Sequence, residues 1–68
     1  MRYSRKGCDV IYECEESKFR QAVTVKHVIK WAQPGDWICY PLDDLENKGT
    51  PFIAQPKEFY TSFVELGA

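Results

Sequence analysis

Apolar residues recur at every second position in several short stretches of this chain, and clusters of Pro, Gly, Asn and Asp separate the stretches. A period of two is the mark of a strand with one buried face. Residues 1–7 form a polar lead-in ending at Gly7. Over residues 8–15, Cys8, Val10, Tyr12 and Cys14 fall on one side of an extended chain, and Asp9, Ile11, Glu13 and Glu15 on the other. That alternation predicts a strand. Glu16-Ser17-Lys18 reads as a turn. Phe19, Val23, Val25, Ile29 and Trp31 then share one face with period two, while Val25, Val28, Ile29 and Ala32 also fit helical spacing. The density of β-branched residues (Val23, Thr24, Val25, Val28, Ile29) favours a strand over 19–32, with a helix over 25–32 as the alternative.

Gln33-Pro34-Gly35-Asp36 is the sharpest punctuation in the chain. Pro presets φ at the first central position of a turn, and Gly accepts the positive φ of a type II turn at the next. Trp37 to Tyr40 follows as a short apolar strand stopped by Pro41. Residues 42–50 are a polar loop with a tight turn expected at Asn47-Lys48-Gly49. Residues 51–55 make another short strand, whose proline suits a strand start or an edge. Pro56 at the first helical position and Glu58 in the first turn predict a helical turn near 56–62. Phe63 to Leu66 closes the chain as a strand. No internal repeat is present. The pattern predicts a mainly β (or α+β) fold: a small, partly closed antiparallel sheet or barrel with one short helical element.

Length and charge narrow what such a fold does. A chain of 68 residues holds one domain, 1–68, near the lower size limit for independent folding. Nine basic and ten acidic residues give a net charge of -1, which supplies no overall attraction to nucleic acid or anionic membranes. The charges do segregate. Lys18, Arg20, Lys26, His27 and Lys30 make a basic run, while Glu13, Glu15 and Glu16, and later Asp43, Asp44 and Glu46, are acidic. Arg20 to Trp31 interleaves bases with aromatics, as a nucleic-acid stacking surface would. The balanced total and the neighbouring acids favour a solvated sheet face instead. No apolar run is long enough to cross a bilayer. The polar start, Met1 to Lys6, lacks the apolar segment of a secretory signal, so a cytoplasmic location is the expectation.

The candidate chemistry is thin. Cys8, Cys14, His27 and Cys39 have the identities of zinc ligands, but their spacing matches no familiar zinc motif, so small buried cysteines are the expectation and no metal or cofactor is assigned. Three cysteines do not suit a closed disulfide framework. A Cys–His27 nucleophile pair lacks an orienting group, and the glycines at 7, 35, 49 and 67 form no phosphate loop. An enzyme acting alone is not expected. Aromatics at 15% exceed what so small a core readily absorbs, and Trp and Tyr dominate binding hot spots.

Pro34-Gly35-Asp36-Trp37-Ile38, followed by Gln55-Pro56-Lys57-Glu58-Phe59 and the stretch Tyr60 to Leu66, resembles the PGDYG-type family of short bacterial and phage-encoded proteins. In that pattern a turn leads into a strand, a Pro-x-x-Phe helical turn follows, and an aromatic enters the last strand. The longer loop Leu42–Thr50 and the position of Phe59 depart from it. The resemblance implies a phage or prophage accessory protein and assigns no catalytic residue.

Together these features predict a non-enzymatic binding module that occludes the surface of a protein partner, and the family resemblance points to a phage-encoded modulator of a host protein. Its contact residues are expected among Asp36, Trp37, Tyr40, Trp31 and Tyr60. The competing reading is a small-ligand or nucleotide pocket beside the Pro34–Trp37 turn, with Asp36 as polar handle and Trp37 as stacking wall. An edge-strand homodimer is compatible with either.

Overall fold

The computed structural model describes residues 1–66. Over these the chain forms β1 (Arg2–Arg5), β2 (Ile11–Glu16), β3 (Gln21–Val25), β4 (Val28–Ala32), β5 (Trp37–Pro41), β6 (Phe52–Ala54), α1 (Pro56–Ser62) and β7 (Phe63–Glu65). The fold is mainly β. Five strands make an antiparallel sheet in the order β6-β5-β2-β1-β7, and β3 and β4 make a separate antiparallel pair. The larger sheet stays open, with β6 and β7 as edges, so the expected closure towards a barrel does not occur. Each edge strand has three residues, too few to wrap around and pair.

The two sheets are one ribbon folded in half. Continued without slippage past Glu16↔Trp37, the β2–β5 register reaches Gln21↔Ala32, the pair that opens the β3–β4 ladder. Between them the ribbon bends at Ser17. The Ser17 N–H donates to the Asp36 carbonyl at 2.7 Å, and the Ser17 carbonyl accepts from the Gly35 N–H at 2.8 Å. The Ser17 hydroxyl donates to the Phe19 carbonyl at 2.6 Å and accepts from Gln21 Nε2 at 2.9 Å. Ser17 is buried, and these bonds remove the penalty of hiding a polar side chain. Opposite it, the Asp36 N–H donates to the Gln33 carbonyl at 3.0 Å and Gly35 has φ 94°, the type II geometry the sequence predicts.

The bend places the β3–β4 hairpin over one face of the sheet. Val23 and Ala32 pack there against Ile38, with Val25, Tyr40 and Ile53 at the margin. Helix α1 covers the other face. There Tyr3, Tyr12, Cys14, Trp37, Cys39, Ala54 and Phe63 meet Phe59 from the helix. Trp37 and Phe59 stack at 4.0 Å and Phe59 and Phe63 at 4.9 Å, while Tyr3 sets its edge against both Trp37 and Phe59. Offset and edge contacts of this kind add to the burial of each ring. The result is three layers: helix, sheet and hairpin.

Three local expectations change. Residues 1–7 contain β1, whose one apolar residue, Tyr3, is enough because it is buried at the centre of the aromatic cluster. The stretch 19–32 is two strands, because Lys26 takes φ 57° and turns the chain back with neither Gly, Asn nor Pro to announce it. The turn expected at 47–49 falls at Asp43–Glu46, where the Glu46 N–H reaches the Asp43 carbonyl at 2.9 Å.

Candidate functional site

The hairpin turn decides which side chains meet solvent. In β3–β4, Val23 pairs with Lys30 and Val25 with Val28, while Ala22 pairs with Trp31 and Thr24 with Ile29. Cross-strand partners share a face. A two-residue reversal therefore puts Ile29 and Trp31 opposite Val23 and Val25, not beside them as an unbroken strand would. Val23 and Val25 turn inward. Ile29 is 64% exposed and Trp31 51% exposed on the outer face. The Arg20 guanidinium lies 4.1 Å from the Trp31 ring centroid, close enough for a cation–π contact. Phe19, next to Arg20 in the chain, is 64% exposed. The outer face is thus apolar and cationic together. Among the described residues, Arg20 and the turn residue Lys26 take part in no ion pair, whereas Lys18 meets Glu16 at 3.4 Å and Lys30 falls on the Val23 side of the ladder.

The other sequence-predicted contact residues lie elsewhere. Trp37 is only 8% exposed and sits inside the aromatic stack. Its indole N–H is buried without an acceptor. Tyr40 is half-buried beneath the hairpin, with Lys48 Nζ 4.8 Å from its ring centroid. Asp36 Oδ2 accepts from the Gln33 N–H at 2.9 Å and ties down the turn. Tyr60 is 64% exposed on α1, its ring edge-on to Trp37 at 5.9 Å. Trp31 and Tyr60 are on opposite outer layers, so the five residues do not gather into one patch. Ile29 and Arg20, absent from the expected contact set, join Trp31 on the outer face of the hairpin. Their signal was present as a basic run containing aromatics. The reversal at Lys26 was needed to see which of them face outward.

An acidic cleft of about 480 Å³ opens at the other end, between the loops after β1 and β5. Its walls include Arg2, Asp9, Val10, Asp43, Asp44 and Glu46. The Asp43 carboxylate accepts from the N–H groups of Asn47 at 2.8 Å and Leu45 at 2.9 Å, which holds it below the usual carboxylate range. Glu46 hydrogen-bonds Arg2, which lowers the Glu46 pKa and raises that of Arg2. These acids serve their own loop. Among the described residues no group of three or more His, Cys, Asp or Glu side chains is arranged to hold a metal ion. Cys8 is exposed, while Cys14 and Cys39 are fully buried directly opposite each other in β2 and β5. The Cys14 side chain beside it and burial push the Cys39 thiol up.

No family model, curated protein or solved structure matches this chain. The functional reading therefore stands on geometry and chemistry. Among the described residues no helix is long and apolar enough to cross a membrane.

Proposed function

We propose that the protein is a non-enzymatic binding module that docks a protein partner through the outer face of the β3–β4 hairpin and modulates that partner by covering its surface. The observation that carries this reading is the exposure of Ile29 and Trp31 on a sheet face, where apolar side chains ordinarily find a cover. Trp31 with Arg20 is the anchor, since Trp and Arg are enriched at the energetic centres of interfaces. The partner surface is acidic. Arg20 stands over Trp31, Lys26 lies in the hairpin turn, and no acid occurs from Lys18 to Lys30, so a complementary patch is negative. The same charge disfavours a second copy of the hairpin on this face. Ile29 is aliphatic and offers no stacking surface to a base, which favours protein over nucleic acid. The small-ligand reading loses its wall, because Trp37 stacks on Phe59 inside the core.

The test is capture of partners from host-cell extract on the tagged full chain, compared with an Ile29→Ser, Trp31→Ser double variant and a Tyr60→Ser variant. A stoichiometric partner lost by the hairpin variant, kept by Tyr60→Ser and released by salt is the expected result. A partner retained by a folded hairpin variant would overturn the assignment.

A further inference from the structure

Cys14 and Cys39 are directly opposite each other in the two strands at the heart of the sheet. The kind of pairing they make follows from the ladder. The Leu42 N–H donates to the Ile11 carbonyl at 2.9 Å, so Ile11 and Leu42 occupy a hydrogen-bonded position between β2 and the end of β5. Such positions alternate along an antiparallel pair. Tyr12↔Pro41 is then a position needing no N–H from β5, which suits proline, and Cys14↔Cys39 is the next of the same kind. The Cys14 N–H confirms the assignment by pointing away from β5, to the Met1 carbonyl at 2.8 Å. At non-hydrogen-bonded positions the Cα atoms stand about 4.5 Å apart and the side chains approach most closely. That separation falls within the range of about 4.4–6.8 Å that a disulfide spans.

We propose that Cys14 and Cys39 form a site of reversible oxidation that a hydroperoxide closes to an intramolecular disulfide without rearranging the strands. With hydrogen peroxide the Cys14 sulfur attacks one peroxide oxygen and the O–O bond breaks. The departing hydroxide takes up the thiol proton as water, leaving Cys14 as a sulfenic acid. The Cys39 sulfur then attacks the Cys14 sulfur, the S–O bond breaks, and a second water leaves with the Cys39 proton. Two thiols lose two electrons in all, and one peroxide becomes two waters. Both sulfurs are fully buried, so the pair reacts more slowly than the exposed Cys8 thiol. The new bond ties the ribbon together on the β2–β5 side of the bend and encloses the whole hairpin. A cross-link of that span restricts the unfolded chain far more than the folded one.

The experiment uses the full chain carrying Cys8→Ser, an exposed position outside the strands, checked for unchanged circular dichroism. Hydrogen peroxide is added under native conditions. The expected product is a monomer lighter by two hydrogens, with one peptide cross-link mapping to Cys14 and Cys39. Its Tm is higher by roughly 5 °C or more, and dithiothreitol reverses the change. Three outcomes would overturn the proposal: thiols that react only after unfolding, oxygen-adding products without a cross-link, or a cross-linked chain whose Tm falls. Adding Cys39→Ala to the Cys8→Ser chain is a second arm, and loss of two hydrogens there would equally contradict it.

Discussion

The two halves of the folded ribbon carry the same apolar face to opposite fates. In β2 and β5 that face holds Tyr12, Cys14, Trp37 and Cys39, and α1 closes over it through Phe59. In β3 and β4 the corresponding face holds Ala22, Thr24, Ile29 and Trp31, and nothing among the described residues covers it. Folding at Ser17 turned one stretch of the face towards the helix and the other towards solvent. One tryptophan is therefore a fold-determining residue and the other a surface one, although they lie only six positions apart and both follow apolar alternation. An aromatic in a strand identifies a face, and only the cover tells whether that face is core or contact surface.

The covered side carries most of the stability. Trp37→Ala empties the centre of the stack with Phe59 and should cost about 3–5 kcal/mol, most of the stability of a domain this small. Denaturant melts should show a chain largely unfolded in dilute buffer. If the variant melts like the parent, the stack does not hold the fold. The corner comes next. Ser17→Ala leaves the Phe19 carbonyl and the Gln21 amide without their partner, and should cost about 1–3 kcal/mol. A loss confined to amide protection in β3–β4 would show that the corner docks the hairpin alone.

How far this was readable from the sequence follows from where the information resides. The turn at Pro34-Gly35 and the helix starting at Pro56 were legible because both depend on backbone preferences of the residue itself. Strands β2, β5 and β6 were legible from alternation and punctuation. Strand β1 was not, since Arg2, Ser4 and Arg5 surround a single inward Tyr3. The reversal at Lys26-His27 was also hidden, because a positive φ at a lysine is enforced by the pairing on either side of it. That one turn exchanges the inward and outward sets of β4, while Trp37 and Tyr40 are covered by the α1-side cluster and by the hairpin, neither visible in local alternation. Trp31 could be proposed from composition, but Ile29 and Arg20 needed the register.

The smallest expected effect is at the loop far from both halves. Asp43 has a folded pKa below its ordinary value, owing chiefly to Asn47 and then Leu45. A depressed carboxyl contributes stability above its unfolded pKa and loses it as pH falls through the lower folded value. Tm should therefore drop between about pH 4 and lower values with a component that Asp43→Asn abolishes. An identical acid limb in the variant would remove the carboxylate from the account.

Acrylamide quenching of tryptophan fluorescence in two single-tryptophan proteins distinguishes an apolar face covered in one half from the same face bare in the other. Trp31→Phe leaves only Trp37, and the account predicts blue-shifted emission that acrylamide barely quenches. Trp37→Phe leaves only Trp31, which should emit further to the red and be quenched several-fold more strongly in a chain whose circular dichroism shows it folded. Equal quenching of the two folded proteins, or a Trp31 as shielded as Trp37, would contradict the account.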